Sequence, residues 1–208
     1  MIIDFEPTPI YSEQLGYLDW RNFERELGVV LKEATFSQPD TPCTGTTYVS
    51  TPEGEDPHST NILKEGFDFY RTKEFILYNL RKYLVSIGST DLMNIDITSS
   101  WVVKAPPGSH TLVHNQGHSG ITGYVYLKVP ARSGNTYFRN PKDVGNYNNS
   151  IYRNSNYSMV DYDIKTKQGQ ILMFPGWLDH GVSLNKSEEE SLWLVFNLEL
   201  IPREENYG

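Results

Sequence analysis

Two stretches in the first half of the chain, residues 18–35 and 72–87, carry apolar residues at steps of three and four. This spacing places the apolar side chains along one side of a helix, so each stretch is predicted to be an α-helix with one buried face. Gly88 follows the second stretch, and glycine commonly ends helices. Between the two helices, residues 37–59 are rich in Pro and Gly, which predicts a loop with one short strand near residues 46–49.

After Gly88 the pattern changes to short runs bounded by turn residues, in several of which apolar and polar residues alternate. A period of two is typical of half-buried strands. The predicted strands are residues 94–103, 121–129, 135–138, 170–174 and 192–200. Helices followed by strands favour an α+β chain. We expect one domain over residues 1–208, in which a helical and loop region (1–90) packs on a sandwich or barrel of strands (91–202).

One segment interrupts the strands. Residues 140–157 are rich in Asn and Tyr and poor in core residues, which predicts a long loop between two strands. Long loops often cover a site or contact a partner, although a solvated insertion without function has the same composition. Protein partners or self-assembly through this loop are therefore one hypothesis.

Charge and cysteine content narrow the classes of partner. The formal net charge is −8 and no run of basic residues is present, so general binding to nucleic acid or to a membrane surface is disfavoured. Cys43 is the single cysteine, which leaves no intrachain disulfide and no cysteine-based metal site. The first residues lack the basic and apolar segments of a signal peptide, and no run approaches the about 18 apolar residues that span a bilayer. We expect a soluble, intracellular protein.

Two histidines mark the candidate chemistry of the second half. His114 precedes the strand predicted at 121–129, and His180 follows the Phe-Pro pair that ends the strand predicted at 170–174. A jelly roll brings such strands beside each other at one open end. Two histidines far apart in sequence can then bind one cation.

Four segments in this order resemble the 2-oxoglutarate/Fe(II)-dependent oxygenase superfamily, and within it the small phage-type 2OG-Fe(II) oxygenases. They are PTPIY at 7–11, SSWVVKAPPG at 99–108, TGYVYLKVP at 122–130 and FPGWLDHGV at 174–182. The resemblance implies a double-stranded β-helix, or jelly roll, in the C-terminal half, with the N-terminal helices as its support.

The resemblance also implies a metal site. In this superfamily two histidines and one carboxylate bind Fe(II), and the two histidine positions fall on His114 and His180. The carboxylate position falls on Gln116, a neutral amide, so metal affinity should be lower. His118 is the alternative third ligand, in a three-histidine centre, although its spacing of four from His114 is a helical relation in a predicted loop. The remaining histidines, predicted to be loop residues, are His58 and His110.

A site for 2-oxoglutarate is implied as well. The superfamily holds the distal carboxylate of this cosubstrate with Arg or Lys on the last strand, and that position falls on Ser191. A serine hydroxyl offers one neutral hydrogen bond, whereas Arg offers a charged, bidentate partner. Tyr126 matches the tyrosine that often assists. Lys128 is predicted to face the same side as Tyr126 and could replace the missing cation, although a solvated lysine at a strand end is the more common arrangement.

Three functions are compatible with these residues. Because two positions of one site are altered, the favoured hypothesis is a jelly roll with a degenerate Fe(II)/2-oxoglutarate site, used as a structural or binding subunit of an assembly such as a phage particle. In that case the protein is virion-associated, and His114 and His180 are hydrogen-bonded structural residues. The alternative is an active dioxygenase that hydroxylates a C–H bond of a protein, nucleotide or small molecule. A metal-dependent cupin with another reaction is the third, and it requires His118 as a ligand.

Overall fold

The computed structural model describes residues 8–38, 46–50, 56–64, 69–89, 93–141 and 160–202. The strands and helices in these ranges are β1 (Tyr11–Gln14), α1 (Tyr17–Glu33), β2 (Tyr48–Val49), α2 (Tyr70–Ser86), β3 (Met93–Ala105), β4 (Thr111–His114), β5 (Ile121–Lys128), β6 (Thr136–Arg139), β7 (Asp161–Ile164), β8 (Gln170–Pro175), β9 (His180–Val182) and β10 (Ser191–Pro202). A short 3-10 turn, Pro57–Ser59, lies between β2 and α2. Cys43 and most of the predicted loop at 140–157 lie outside the described residues.

Both predicted helices and all five predicted strands are present, with ends that move by one or two residues. The structure adds four strands that the pattern did not predict, namely β1, β4, β7 and β9. Each is only three or four residues long. Such a strand shows too few alternations to be distinguished from a loop. The strand predicted near 46–49 is reduced to β2. The expectation of one domain over residues 1–208 stays a prediction.

The strands form two sheets. The larger has the order β1-β8-β5-β10-β3-β2 and the smaller the order β4-β9-β6-β7. Every strand pair in the described ranges is antiparallel. Two antiparallel sheets packed face to face are the architecture of a jelly roll.

The space between the sheets is filled mainly by aromatic side chains. Trp101, Tyr124 and Trp193 on the inner face of the larger sheet belong to one buried cluster with Phe138 and Val182 of the smaller sheet. Because successive side chains of a strand point to opposite faces, the neighbours of these inner residues face outward. The inner cluster contains the candidate site.

The two helices cover the outer face of the larger sheet. Phe23 of α1 and Leu80 of α2 are buried in one cluster with Val102, Val125 and Leu194, which are the outward neighbours of the inner residues. Burial on both faces explains the almost continuous apolar runs of β5 and β10. No helix in the described ranges is long and apolar enough to cross a membrane.

Helix α2 receives its N-terminal cap from helix α1. The carboxylate of Glu26 accepts hydrogen bonds from the backbone N–H groups of Arg71 and Thr72, at 3.1 and 2.9 Å. No side chain at the start of α2 itself provides a cap. A carboxylate at a helix N-terminus satisfies free N–H groups and interacts favourably with the helix dipole. After α2, Gly88 has a φ of +79°, as expected for a glycine that ends a helix.

Two glycine substitutions are expected to have opposite effects on stability. Gly134 has a φ of +94°, and a Cβ there would lie 2.2 Å from the backbone oxygen of Ser183. We expect Gly134→Ala to lower the free energy of unfolding by more than about 2 kcal/mol. In α1, a Cβ at Gly28 meets no atom within 4 Å. Gly28→Ala is expected to raise the free energy of unfolding by up to about 1 kcal/mol, because alanine is the better helix former.

Urea unfolding of the two variants beside the wild type measures both effects. A Gly134→Ala variant as stable as the wild type would show that the backbone near Ser183 adjusts freely, contrary to the fold described here.

Candidate metal centre

The pairing of β4 with β9 brings His114 and His180 side by side. His114 is the last residue of β4 and His180 is the first of β9, and the two are direct partners across this antiparallel pair. Their ring centroids lie 4.5 Å apart. Neither strand was predicted from the sequence. The contact between the two histidines therefore depends on elements that only the tertiary structure shows.

Both rings make the same hydrogen bond. Nδ1 of His114 lies 2.8 Å from the carbonyl oxygen of Leu112, and Nδ1 of His180 lies 2.7 Å from that of Leu178. A carbonyl oxygen only accepts hydrogen bonds, so each Nδ1 carries the proton and donates it. Each Nε2 therefore keeps its lone pair, which is the form in which imidazole binds a metal.

His180 is fully buried, and its Nε2 has no hydrogen-bond partner among the residues that the structure describes. Burial away from water, followed by the influence of His114, lowers the pKa of His180 to about 3. Burial is also the main cause that lowers the pKa of His114. Both rings are therefore neutral near pH 7. A buried acceptor without a partner costs about 1–3 kcal/mol, and a bound cation would satisfy it.

Aromatic side chains hold the His180 ring in place. The ring centroids of Phe174, Tyr124 and Phe138 lie 4.7, 5.6 and 6.2 Å from that of His180. Their contacts restrict the rotation of the imidazole, because close-packed interiors leave little room for alternative rotamers.

Gln116 adds a second unsatisfied acceptor. Its side chain is 5% exposed, and Oε1 has no hydrogen-bond partner in the described ranges. Its backbone N–H donates to the carbonyl oxygen of Gly176 at 2.7 Å, and its own carbonyl oxygen accepts from the N–H of Ser119 at 2.7 Å. A Cβ at Gly176 would lie 2.1 Å from the oxygen of Ser119, so only glycine fits this contact. The segment Phe174–Gly176 thus positions the turn that carries Gln116.

Only three buried side-chain polar atoms of the described residues lack a partner: Nδ1 of His110, Oε1 of Gln116 and Nε2 of His180. Two of the three belong to residues at this site. Buried polar groups are almost always hydrogen-bonded, so these two acceptors are candidates to bind a ligand such as a metal ion.

The site opens into a cavity of about 250 Å³, whose lining includes His114, Gln116 and Tyr124. Trp101 and Trp193 contribute to the lining, so much of it is aromatic. The space between the sheets is therefore not closed by side chains. Trp101 was noted in the sequence only as part of a motif, and Trp193 only as part of a strand.

His58 also lines this cavity, together with Asp56. The sequence predicted only a loop here, but the 3-10 turn places the His58 ring edge-on against Trp101, with centroids 5.2 Å apart. His58 and Asp56 precede β3 by many residues. No local pattern could have assigned either of them to the site.

His118 and His110 stand apart from the histidine pair. His118 is exposed and lines a neighbouring cavity, and His110 lines neither. Among the residues that the structure describes, no group of three or more His, Cys, Asp or Glu side chains is arranged to hold a metal. The three-histidine arrangement with His118 is thus not formed in this structure.

Of the three residues predicted to bind 2-oxoglutarate, only Lys128 carries a charge. The Tyr126 hydroxyl is buried and hydrogen-bonded to that of Thr136. Lys128 forms an ion pair with Glu189 at 3.0 Å, and these side chains are 40% and 64% exposed. Ser191 is 5% exposed, on the inner face of β10. No Arg or Lys of the described residues lines the cavity.

Residues 99–197, just under half of the chain, match a family described as "Putative 2OG-Fe(II) oxygenase". The resemblance to the 2OG-Fe(II) oxygenases is confirmed. The matched segment contains His114, Gln116, His180 and Ser191. The phage-type branch stays a prediction. Among curated protein sequences, none matches the chain.

Solved structures of this superfamily share the fold. The epimerase SnoN from nogalamycin biosynthesis superposes with a TM-score of 0.63 at 10% identity, over 96% of this chain and 83% of SnoN. A prolyl-4-hydroxylase from Pseudomonas putida gives 0.57 at 12% identity, with 94% of both chains covered. A viral collagen prolyl hydroxylase from Paramecium Bursaria Chlorella virus-1 gives 0.54 at 16% identity, with 91% of this chain and 94% of the hydroxylase covered. These similarities confirm the jelly-roll fold. One SnoN complex holds Fe3+ and alpha ketoglutarate.

Proposed function

We propose that this protein is a metal-dependent oxygenase that holds one Fe(II) ion between His114 and His180 and presents it to a ligand in the tryptophan-lined cavity. The observation that carries the proposal is the state of the two rings. Each donates its Nδ1 proton to a backbone carbonyl and keeps the Nε2 lone pair. The Nε2 of His180 is buried without any partner among the described residues.

The spacing of the rings fits one metal ion. Imidazoles at neighbouring positions of a six-coordinate ion, each with Nε2 about 2.1 Å from the metal, have centroids roughly 4.6 Å apart. The observed separation is 4.5 Å. Gln116 would complete the protein ligands through its orphaned Oε1, which gives a centre with no negatively charged ligand.

Bound Fe(II) would supply the oxidation chemistry of the site. The residues of the chain would hold the ion, orient the ligand and exclude water. Trp101, Trp193 and Tyr124 suit this last role once a ligand fills the cavity, because their large apolar rings then pack against the ligand in place of solvent.

The two histidines suit a metal ion, but the cavity beside them does not suit 2-oxoglutarate. It carries two carboxylates, and one of them would remain without a charged partner, because the cavity presents no Arg or Lys from the described residues. Removing a carboxylate from water without a cation is costly. 2-Oxoglutarate is therefore not the ligand that we propose for this cavity.

A second candidate is a binding subunit without catalysis, such as a component of a phage particle. The observation that favours it is the neutral character of Gln116 and Ser191, which stand where related enzymes use charged residues. The segment proposed for its contacts is described only at residues 140 and 141.

Anaerobic titration with Fe(II), followed by measurement of O2 uptake with a 2-oxo acid present, tests the proposal. We expect one Fe(II) bound per chain and O2 uptake that depends on the metal. A protein that retains no Fe(II) would refute the proposal. Metal binding without O2 uptake would favour the binding subunit.

A further inference from the structure

We propose that the cavity takes a 2-oxo acid with an uncharged tail in place of the dicarboxylate 2-oxoglutarate. The inference rests on the proposed function, because a 2-oxo acid binds such a centre through the metal. It is supported by the absence of Arg and Lys among the described residues that line the cavity.

The inner face of the larger sheet is almost free of charge. Its buried residues include Ser191, Trp193 and Val195 on β10, Tyr124 and Tyr126 on β5, Trp101, Val103 and Ala105 on β3, Leu172 and Phe174 on β8, and Val49 on β2. Lys128, at the end of β5, lies beyond a shift in the register between β5 and β10 and pairs with Leu192, which packs against the cluster beneath the helices. Its Nζ lies 3.0 Å from a carboxylate oxygen of Glu189, and no Arg or Lys of the described residues lines the cavity.

The described residues of the facing sheet add no cation to the inner cluster or to the lining of the cavity. Its residues in the inner cluster are Phe138, Val182 and the partly buried Ile164, and its two site histidines are neutral near pH 7. Asp56, at the cavity, adds a negative charge near the space that a ligand would enter. Apart from Asp56, the described residues that line the cavity present aromatic rings, imidazoles, apolar groups, hydroxyls and amides to a tail.

A second carboxylate in this space would lose its water and find no cationic partner among the described residues. An aliphatic tail would instead bury its surface against rings such as Trp193 and Tyr124, which is favourable. The first carboxylate of a 2-oxo acid still has a role, because a centre built from His114, His180 and Gln116 supplies no negative charge to the metal. One negative charge on the ligand is therefore favoured and a second is disfavoured.

The test compares 2-oxoglutarate with 4-methyl-2-oxopentanoate, which has the same 2-oxo acid group and an uncharged branched tail. The dissociation constant of each from the anaerobic Fe(II)-loaded protein is measured by the visible charge-transfer band and by quenching of tryptophan fluorescence. We expect 4-methyl-2-oxopentanoate to bind at least about tenfold more tightly. This comparison uses the wild-type chain, so it does not depend on the folding of any variant.

Ser191→Arg extends the test by placing a cation on the inner face of β10. We expect this change to improve the binding of 2-oxoglutarate by at least about tenfold and to weaken that of 4-methyl-2-oxopentanoate. Ser191→Ala is the matched control, because it removes the hydroxyl without adding charge, and it should leave the order of preference unchanged. Circular dichroism establishes that each variant is folded.

The outcomes separate the two proposals. If the metal-loaded protein binds 2-oxoglutarate as tightly as 4-methyl-2-oxopentanoate, or binds neither acid, the inference about the tail is overturned and the metal site stands. If no Fe(II) is retained, the proposed function fails and the inference fails with it.

Discussion

His180→Asn is expected to lower the affinity for Fe(II) by more than about 100-fold, since even the outer partners of metal-binding histidines are worth about 10- to 100-fold. The Asn side chain can still donate to the carbonyl oxygen of Leu178, as Nδ1 of His180 does at 2.7 Å. It has no atom in the position of Nε2, the orphaned acceptor. The substitution thus removes the ligand while it preserves the local hydrogen bond.

Equilibrium dialysis under anaerobic conditions measures the affinity, and thermal unfolding with and without Fe(II) provides a second readout. A ligand at 100 times its dissociation constant stabilises the folded state by about 2.7 kcal/mol. We expect this stabilisation in the wild type and its loss in the variant.

His118→Asn is the matched control for this prediction. His118 is exposed and stands apart from the histidine pair, so the same substitution should leave the affinity for Fe(II) unchanged. Equal losses in the two variants would point to the three-histidine arrangement and would contradict the site described here.

Gln116→Glu is expected to raise the affinity for Fe(II) by at least about tenfold, because it exchanges a neutral ligand for an anionic one of the same size. The same change should destabilise the metal-free protein, because Gln116 is only 5% exposed and a carboxylate there would lack a partner. Opposite effects on the metal-free and metal-bound forms distinguish a ligand from a residue that merely fills space. Dialysis and thermal unfolding measure the two effects.

Gln170→Glu is the control for this second prediction. Gln170 is also buried, at 8% exposure, but its amide is already hydrogen-bonded to Ser12 and to the backbone of Lys167. The variant should show no change in metal affinity. If Gln116→Glu binds Fe(II) no better than the wild type, Oε1 of Gln116 does not face the metal.

The candidate site combines two features of the sequence that favour different functions. His114 and His180 lie side by side and each donates its Nδ1 proton to a backbone carbonyl, whereas Gln116 and Ser191 lack the charges that the resemblance implies at their positions. These features lie in different parts of the structure. The two histidines lie at the junction of β4 and β9, Gln116 lies in the turn after β4, and Ser191 lies on β10 of the larger sheet.

Periodicity and resemblance were sufficient for the framework. The apolar spacing predicted α1 and α2, and alternation predicted β3, β5, β6, β8 and β10, because long elements repeat their pattern several times. Four short segments, one of which contains His180, predicted the resemblance to the superfamily and the jelly-roll fold. These are local properties of the chain, so they can be predicted without coordinates.

Other features of the site depended on the tertiary structure. β4 and β9 are too short to show a pattern, and their register alone makes His114 and His180 partners. The position of the turn that carries Gln116 follows from the backbone bond of Gln116 to Gly176, a contact between distant segments. The approach of His58 to Trp101 is likewise set by packing.

The sequence by itself predicted the jelly-roll fold, the resemblance to the 2OG-Fe(II) oxygenases, the two histidines and the neutral residues Gln116 and Ser191, because residue identity and short-range pattern contain that information. Only the tertiary structure decided which ring nitrogens remain free, which acceptors are buried without partners and which walls enclose the cavity. Those features arise from contacts between residues far apart in the chain, and such contacts are formed by packing and strand register.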